Sequence, residues 1–268
     1  MKRVHLLFIG AGPMAEAIFA GVLQHRPEMA ITVSNNKDTN RLEQLKNHYN
    51  IETTSNWKET VTEVDVIVLA CPPSAHPDVL EQLHPLLKKD QLIVTVAAGI
   101  GPSSLEAALP KGTATAWLMP NTSADVGKSM SIYAFGEDVT EEHKKVFTSI
   151  ASAIGHAQEL TEEQVHNLTA VTGSAPAFLY YFVEALEQAA TSYGITSEQA
   201  RKLVIEMVIG SAAMLEKYRD PKGLRANVTS PGGATAAGIA SLDENGFTDS
   251  LMKAIHATNK RAKELGSS

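Results

Sequence analysis

The sequence predicts an α/β first half built on a parallel sheet, followed by an all-α second half. Three observations carry that prediction. Short apolar runs ending at glycine or proline alternate with helix-like segments from Val4 to Met119, and such alternation implies parallel strands covered on both faces. A glycine-rich turn, Gly10-Ala11-Gly12, joins the first run to the first helical segment. Beyond about Thr161 strand-like runs cease, and apolar residues recur at helical spacing. The expected domains are residues 1–160 and 161–268.

Each element has its own signal. Residues 4–9, VHLLFI, end at glycine, the pattern of a strand buried on both faces. Met14, Ile18, Phe19, Val22 and Leu23 then give helical spacing over 14–23. Further strands are expected at 31–33, 64–70, 92–97 and 113–119, and helices at 39–49, 79–87 and 103–109. Cys71-Pro72-Pro73 and Gly99 stop two of those strands. Runs at 131–135 and 156–160 flank a helix over 141–153 and extend the sheet. In the second half Leu168, Val171, Ala175, Phe178, Phe182, Leu186 and Ala189 predict one helix over 165–193, stopped by Gly194. Thr196 and Gln199 have capping-box spacing before a second long helix to about Tyr218. Leu203-Val204-Ile205 and Met207-Val208-Ile209 leave that helix little polar face. A helix apolar nearly all round needs burial on most sides. A helical half of this size does not supply it alone, so an intertwined homodimer is expected.

Composition narrows the function. Of 268 residues, 44% are hydrophobic and 20% charged, which supports a sizeable core and excludes wholesale disorder. Lys and Arg total 23 against 30 Asp and Glu, a net charge of −7; such a surface repels phosphate backbones, so no nucleic-acid partner is expected. No apolar run approaches the roughly 18 residues of a membrane span, so no membrane partner is expected. One cysteine, Cys71, rules out an internal disulfide framework and fits a reducing cytoplasm. It reads as a small buried filler rather than a nucleophile. Met1-Lys2-Arg3 before the first apolar run has the look of a targeting head, but Gly10 to Pro13 break the run, and the segment reads as a strand. The nine histidines include no i,i+4 pair and no His-Glu motif, so no metal site is expected.

The turn after the first strand reads Gly10-Ala11-Gly12-Pro13-Met14-Ala15, a G-x-G-x-x-A motif in strand–turn–helix context. Gly10 permits the tight turn, Gly12 lets backbone approach a pyrophosphate, and Ala15 keeps helix and strand close. The helix that follows points free amides at the phosphates. The end of the second strand selects the cofactor. NAD-binding chains place a carboxylate there, whereas this chain has Ser34-Asn35-Asn36-Lys37 with Arg41 beyond. Hydroxyl, amide and cation accept a 2′-phosphate that a carboxylate would repel. NADPH is therefore expected, with NADH the alternative; the competing reading makes Lys37 and Arg41 solvated surface charges.

A second loop runs Asn227-Val228-Thr229-Ser230-Pro231-Gly232-Gly233-Ala234-Thr235 into a helix. Two glycines can release consecutive amides as an anion nest suited to a small carboxylate, though an ordinary capped helix start fits the same residues.

Three segments, FIGAGPMA (8–15), LTAVTGSAPAF (168–178) and LRANVTSPGGAT (224–235), make the chain similar to the pyrroline-5-carboxylate reductases, in matching order along essentially its whole length. The resemblance implies an N-terminal Rossmann-type dinucleotide-binding domain and an all-α C-terminal dimerisation domain. It implies NAD(P)H-dependent reduction of the cyclic imine pyrroline-5-carboxylate to proline by a homodimer or a larger ring. Family contacts to substrate map to Ser230, Gly232, Gly233, Ala234 and Thr235, with Thr235 matching the hydroxyl near the ring nitrogen and hence the catalytic position. Glu162 matches a family acidic position. Dinucleotide contacts map to Ile9, Gly10, Ala11, Gly12, Pro13, Met14, Ser34, Asn56, Ala70, Cys71, Pro72, Pro73, Ala97, Ala98, Gly99 and Asn227, beside the Asn35 already singled out.

The chain departs from the family pattern at Ala175 (commonly Gly), Pro72 (often Lys), Ala226 (often Asp) and Ser123 (usually Pro). These changes keep two alternatives open: a related reductase of another imine or small carboxylate, and a non-catalytic dinucleotide-binding paralogue.

Overall fold

The computed structural model describes residues 3–266. Residues 1–2 and 267–268, the outermost parts of the expected domains and of the targeting-like start, lie outside it. Strand and helix alternate as β1 (His5–Ile9), α1 (Pro13–His25), β2 (Ala30–Ser34), α2 (Thr39–Tyr49), β3 (Glu52–Thr54), β4 (Val66–Leu69), α3 (His76–Leu83), β5 (Leu92–Thr95), α4 (Pro102–Ala108) and β6 (Ala114–Met119). Then come β7 (Ser129–Phe135), α5 (Glu141–Ser152), β8 (Gly155–Glu159) and α6 (Glu162–Thr169). The helical remainder is α7 (Ala175–Ser192), α8 (Ser197–Tyr218), α9 (Pro221–Asn227), α10 (Ala234–Glu244) and α11 (Phe247–Gly266).

The strands form one sheet in the order β3-β2-β1-β4-β5-β6-β7-β8. The pairs from β3 to β6 are parallel, with Phe8 level with Val33 on one side and Val68 on the other. β7 runs antiparallel to β6, because only a short 3-10 turn over Thr122–Val126 joins them and a parallel pair needs a full crossover. β8 returns parallel to β7 through α5. β3 escaped the sequence reading: Glu-Thr-Thr is too short and polar to register, and it is held at the sheet edge by β2 alone.

Alternate side chains take opposite faces. Leu6, Phe8, Val33 and Val68 pack with Ile18, Phe19 and Val22 of α1 and Phe147 of α5. Leu7, Ile9, Ile67 and Ile93 pack with Leu80 and Leu83 of α3 and Leu105 of α4. Burial on both faces is why these strands appear in sequence as unbroken apolar runs.

The chain divides into two compact units: residues up to Ser174 together with those from Ala257 onward, and Ala175–His256. α6 lies in the first unit and ends five residues before the division, since Val165 is fully buried with Trp117, Met119 and Ile132. The single helix expected over 165–193 is interrupted by a π turn at Ala170–Ser174. Pro176 explains the break: it has no N–H for the Thr172 carbonyl, which instead accepts from Asn121 Nδ2 at 3.0 Å. Asn259 of α11 serves the same break, accepting from the Ala170 N–H at 3.1 Å and donating to the Asn167 carbonyl at 2.7 Å.

In the second unit the capping box at the start of α8 is complete, with Gln199 N–H on the Thr196 hydroxyl and Thr196 N–H on the Gln199 amide oxygen. Glu187 of α7 pairs with Arg201 of α8 at 3.5 Å. Large apolar side chains stay uncovered within the single chain, among them Tyr180, Tyr181, Phe182, Leu203 and Ile209. No described helix is long and apolar enough to cross a membrane.

Candidate active site

The first unit gathers most of the expected cofactor residues at the C-terminal ends of its strands. β1 leads into Gly10, whose N–H bonds the Ser34 carbonyl at 2.9 Å. Gly10 has φ +119, and a Cβ there would sit 2.6 Å from the Ala70 carbonyl carbon at the end of β4. Any other residue would push the two strand ends apart. A Cβ on Gly12 would meet nothing within 4 Å, so backbone at the head of α1 faces open space. Gly12 caps α1 without a side-chain hydrogen bond and Pro13 occupies its first turn, leaving first-turn amides for an anion.

At the end of β2, Ser34 is buried and its hydroxyl has no hydrogen-bond partner among the described residues. Asn35 Oδ1 accepts from the amides of Lys37 and Asp38 at 3.0 and 3.3 Å and so folds the following loop. Asp38 caps α2 through the Arg41 N–H at 2.9 Å. Arg41 is not a merely solvated charge. Its Nε donates to the Ala11 carbonyl at 3.2 Å and its guanidinium pairs with Glu16. Tyr49 O–H donates to the other Glu16 oxygen at 3.0 Å. Burial, then this hydrogen bond, holds the Tyr49 phenol above its ordinary pKa. Lys37 is exposed. Asn56 lies past β3, its side-chain amide donating to Glu59 at 2.7 Å.

Two further loops flank β4 and β5. In Ala70–Pro73, Cys71 is half-buried rather than the buried filler expected, and burial pushes its thiol up to about 11, which favours the protonated form near neutrality. In Ala97–Gly99, the Ala97 N–H bonds Thr95 Oγ1 at 3.2 Å and its carbonyl accepts from Trp117 Nε1 at 2.9 Å. Gly99, Ser103, Ser104, Glu162, His166 and Lys263 line a recess of about 510 Å³. Glu162 reads in sequence as a substrate contact or as a solvated helix-start charge. In the structure its carboxylate accepts from the Ser103 hydroxyl at 2.7 Å and the Ser103 N–H at 3.2 Å, closing the head of α4. His166 packs at a tilt of 59° against Trp117 with ring centroids 4.5 Å apart, its Nε2 3.9 Å from Glu162, and burial lowers its pKa.

The second unit carries the Ser230–Thr235 loop. Gly233 N–H bonds the Ser230 carbonyl at 3.0 Å across Pro231 and Gly232, and Gly232 has φ +74. Proline second and a positive-φ glycine third are the demands of a type II turn. Gly233 caps α10 without a side-chain hydrogen bond, so the amides of its first turn are open to an anion. Ser230, Ala234, Thr235 and Asn227 are exposed. His76, Thr95 and Trp117, which wire the loops Ala70–Pro73 and Ala97–Gly99, and Glu16 and Tyr49, which hold Arg41, escaped the sequence reading. The contacts that join them, His76 to Thr95, Trp117 to Ala97 and Arg41 to Glu16, are 19 or more residues apart in sequence.

The chain is similar to known proteins along its whole length. Pyrroline-5-carboxylate reductase 1 of Bacillus spizizenii is 34% identical over 261 residues, 96% of this chain and 88% of that one. The chain belongs to the pyrroline-5-carboxylate reductase family. The family's dimerisation model, described as pyrroline-5-carboxylate reductase dimerisation, matches residues 162–265, and a model described as NADP oxidoreductase, coenzyme F420-dependent, matches 5–99. Solved reductases superpose over the whole length. That of Coxiella burnetii, at 32% identity, gives a TM-score of 0.88 over 98% of this chain and 99% of that one. The Plasmodium falciparum pyrroline carboxylate reductase, solved with NADP bound, gives 0.88 at 29% identity over 99% of both chains. A nicotinamide dinucleotide suits this reductase fold on its own residues: Gly12 leaves space for a pyrophosphate, and the buried Ser34 hydroxyl at the end of β2 has no partner among the described residues, so it is open to a polar ligand group.

Proposed function

We propose that this chain reduces pyrroline-5-carboxylate to proline with NADPH in preference to NADH, as a cytoplasmic homodimer. The observation that carries the reading is the open Ser230–Gly233 turn at the head of α10, in a reductase-family chain whose first unit has the dinucleotide loop. The cofactor would be held by Gly10, Gly12, Ser34, Asn35 and the loops Ala70–Pro73 and Ala97–Gly99, and when bound supplies the two electrons and hydrogen that reduce a C=N bond. Arg41, fixed beside Ala11, favours the additional phosphate of NADPH.

The remaining work falls to α10 and its turn. Amides at Ala234 and Thr235, past the Gly233 N–H that closes the turn on Ser230, would receive the substrate carboxylate, aided by the helix dipole. The Thr235 hydroxyl would hold the ring nitrogen and keep its proton in place. A cyclic imine is basic enough to be protonated in part near neutrality, so its carbon is electrophilic without a strong acid. Orientation and a preorganised polar site then provide most of the acceleration.

The test is NADPH oxidation with pyrroline-5-carboxylate beside cofactor binding by fluorescence. Turnover is expected, with a higher kcat/KM for NADPH than for NADH. Binding without turnover would identify a non-catalytic paralogue, and turnover confined to other imines or keto acids a related reductase. Thr235→Ala should lower kcat/KM by roughly ten-fold or more, as loss of an oriented polar contact does; unchanged kinetics would remove Thr235 from the mechanism.

A further inference from the structure

We propose that His76 is a positioning residue that couples the two loops holding the nicotinamide half of the cofactor. The proposal rests on the assignment of Ala70–Pro73 and Ala97–Gly99 to that cofactor. His76 opens α3 and is 1% exposed. Its Nδ1 lies 3.2 Å from the Pro72 carbonyl oxygen and its Nε2 3.1 Å from Thr95 Oγ1. A carbonyl can only accept, so Nδ1 carries the hydrogen of the neutral ring. Nε2 is then a lone pair and must receive the Thr95 hydroxyl hydrogen. With that hydrogen committed, Thr95 Oγ1 still accepts from the Ala97 N–H at 3.2 Å.

One directed chain thus runs from Pro72 in the loop after β4, through His76 and Thr95, to Ala97 in the loop after β5. Both ends are fixed independently. The Pro72 carbonyl also takes the Ala75 N–H at 2.9 Å, and the Ala97 carbonyl takes Trp117 Nε1 at 2.9 Å. Cys71 Sγ, 3.7 Å from Nδ1, stays a thiol and faces a ring nitrogen whose hydrogen is already given to Pro72. Burial lowers the His76 pKa and keeps the ring neutral, as the lone pair requires. An apolar residue would fill the same space but leave Thr95 Oγ1 without an acceptor inside the first unit. The imidazole is the group that can accept from one loop while donating to the other.

The test compares His76→Asn, His76→Gln and Thr95→Val in the full chain. The readouts are the NADPH dissociation constant, KM and kcat with pyrroline-5-carboxylate, and Tm. Asparagine can reach Pro72 but not Thr95; glutamine can accept from Thr95; valine removes the hydroxyl at nearly constant shape. His76→Asn and Thr95→Val should each weaken NADPH binding roughly ten-fold, the effect of one lost buried hydrogen bond. Their combination should do no more than either alone, because both cut one link. His76→Gln should recover most of the loss. If all three lower Tm yet leave the dissociation constant within about two-fold, or if the two losses multiply, the coupling role is wrong. Thr95→Val carries the test alone if the His76 variants fail to fold. Imidazole 15N shifts of the wild type must show Nε2 unprotonated, and a protonated Nε2 overturns the wiring. Should the wild type bind no NADPH, the cofactor assignment fails, and the positioning role with it, while the 15N shifts still report whether the link exists.

Discussion

The two compact units spend their apolar residues differently. The first closes over them: Phe8, Phe19, Ile67 and Trp117 are wholly buried between its own helices and sheet. In the second only Ala200 and Val204 are buried, while Leu203 is 62% and Ile209 57% exposed. Helical propensity and a complete capping box suffice to build α8, but they do not cover it. The first unit is a fold in the ordinary sense, whereas the second is half of one. Its exposed side chains are the surface that a copy of this chain would bury.

The sharpest way to break this contrast is a charge on that surface. Ile209→Asp in a two-fold interface acts twice, each time losing apolar burial and adding a desolvated carboxylate. Dimer affinity should weaken by at least about 6 kcal/mol, roughly four decades in Kd. Sedimentation should then find monomer at micromolar concentration; an unchanged dimer would place the interface elsewhere. Next comes the core of the first unit. Phe19 meets Phe8 and Tyr49 edge to face at 5.7 and 5.1 Å, and Phe19→Ala should cost about 3–5 kcal/mol in denaturant titration. That loss should not depend on protein concentration, unlike the loss in Ile209→Asp. Thr196→Ala removes half the capping box and should cost about 1 kcal/mol, visible as early loss of helix in circular dichroism. The gentlest lever is pH. His5, His76 and His166, all in the first unit, have pKa values lowered chiefly by burial. The unfolded chain holds these protons more tightly, so their stability contribution is complete above the ordinary value of 6.5 and is lost as pH falls through the lowered ones. Melting of the first unit in mild acid ahead of the second should therefore appear as a split calorimetric transition; uniform acid sensitivity would refute this.

Legibility in sequence follows the same contrast. Strands buried on both faces announce themselves as VHLLFI or LIVTVA, and α2 runs over residues 39–49 as its spacing predicts. β3 was hidden because edge pairing, not composition, makes Glu52–Thr54 a strand. The π turn was hidden because apolar periodicity runs straight through Pro176, and the compensating donor, Asn121, lies 51 residues upstream of the Thr172 carbonyl it serves. For the site, the glycine loop and the Ser-Pro-Gly-Gly turn were legible because each depends on local backbone demands. Arg41 was legible as a cation, but not as one oriented by Glu16 and Tyr49. Glu162 reads from the resemblance as a substrate contact and from its position as a solvated helix-start charge; neither reading makes the closure of α4 legible.

Asn259 has a consequence for the order in which the molecule comes into being. The break it mends sits at Ala170, 89 residues earlier in the chain. At about 5–20 residues per second of translation, roughly 5–20 seconds separate the two. During that interval the turn after α6 has been made but lacks the side chain that satisfies its backbone, and the intervening helices emerge from the ribosome before it arrives.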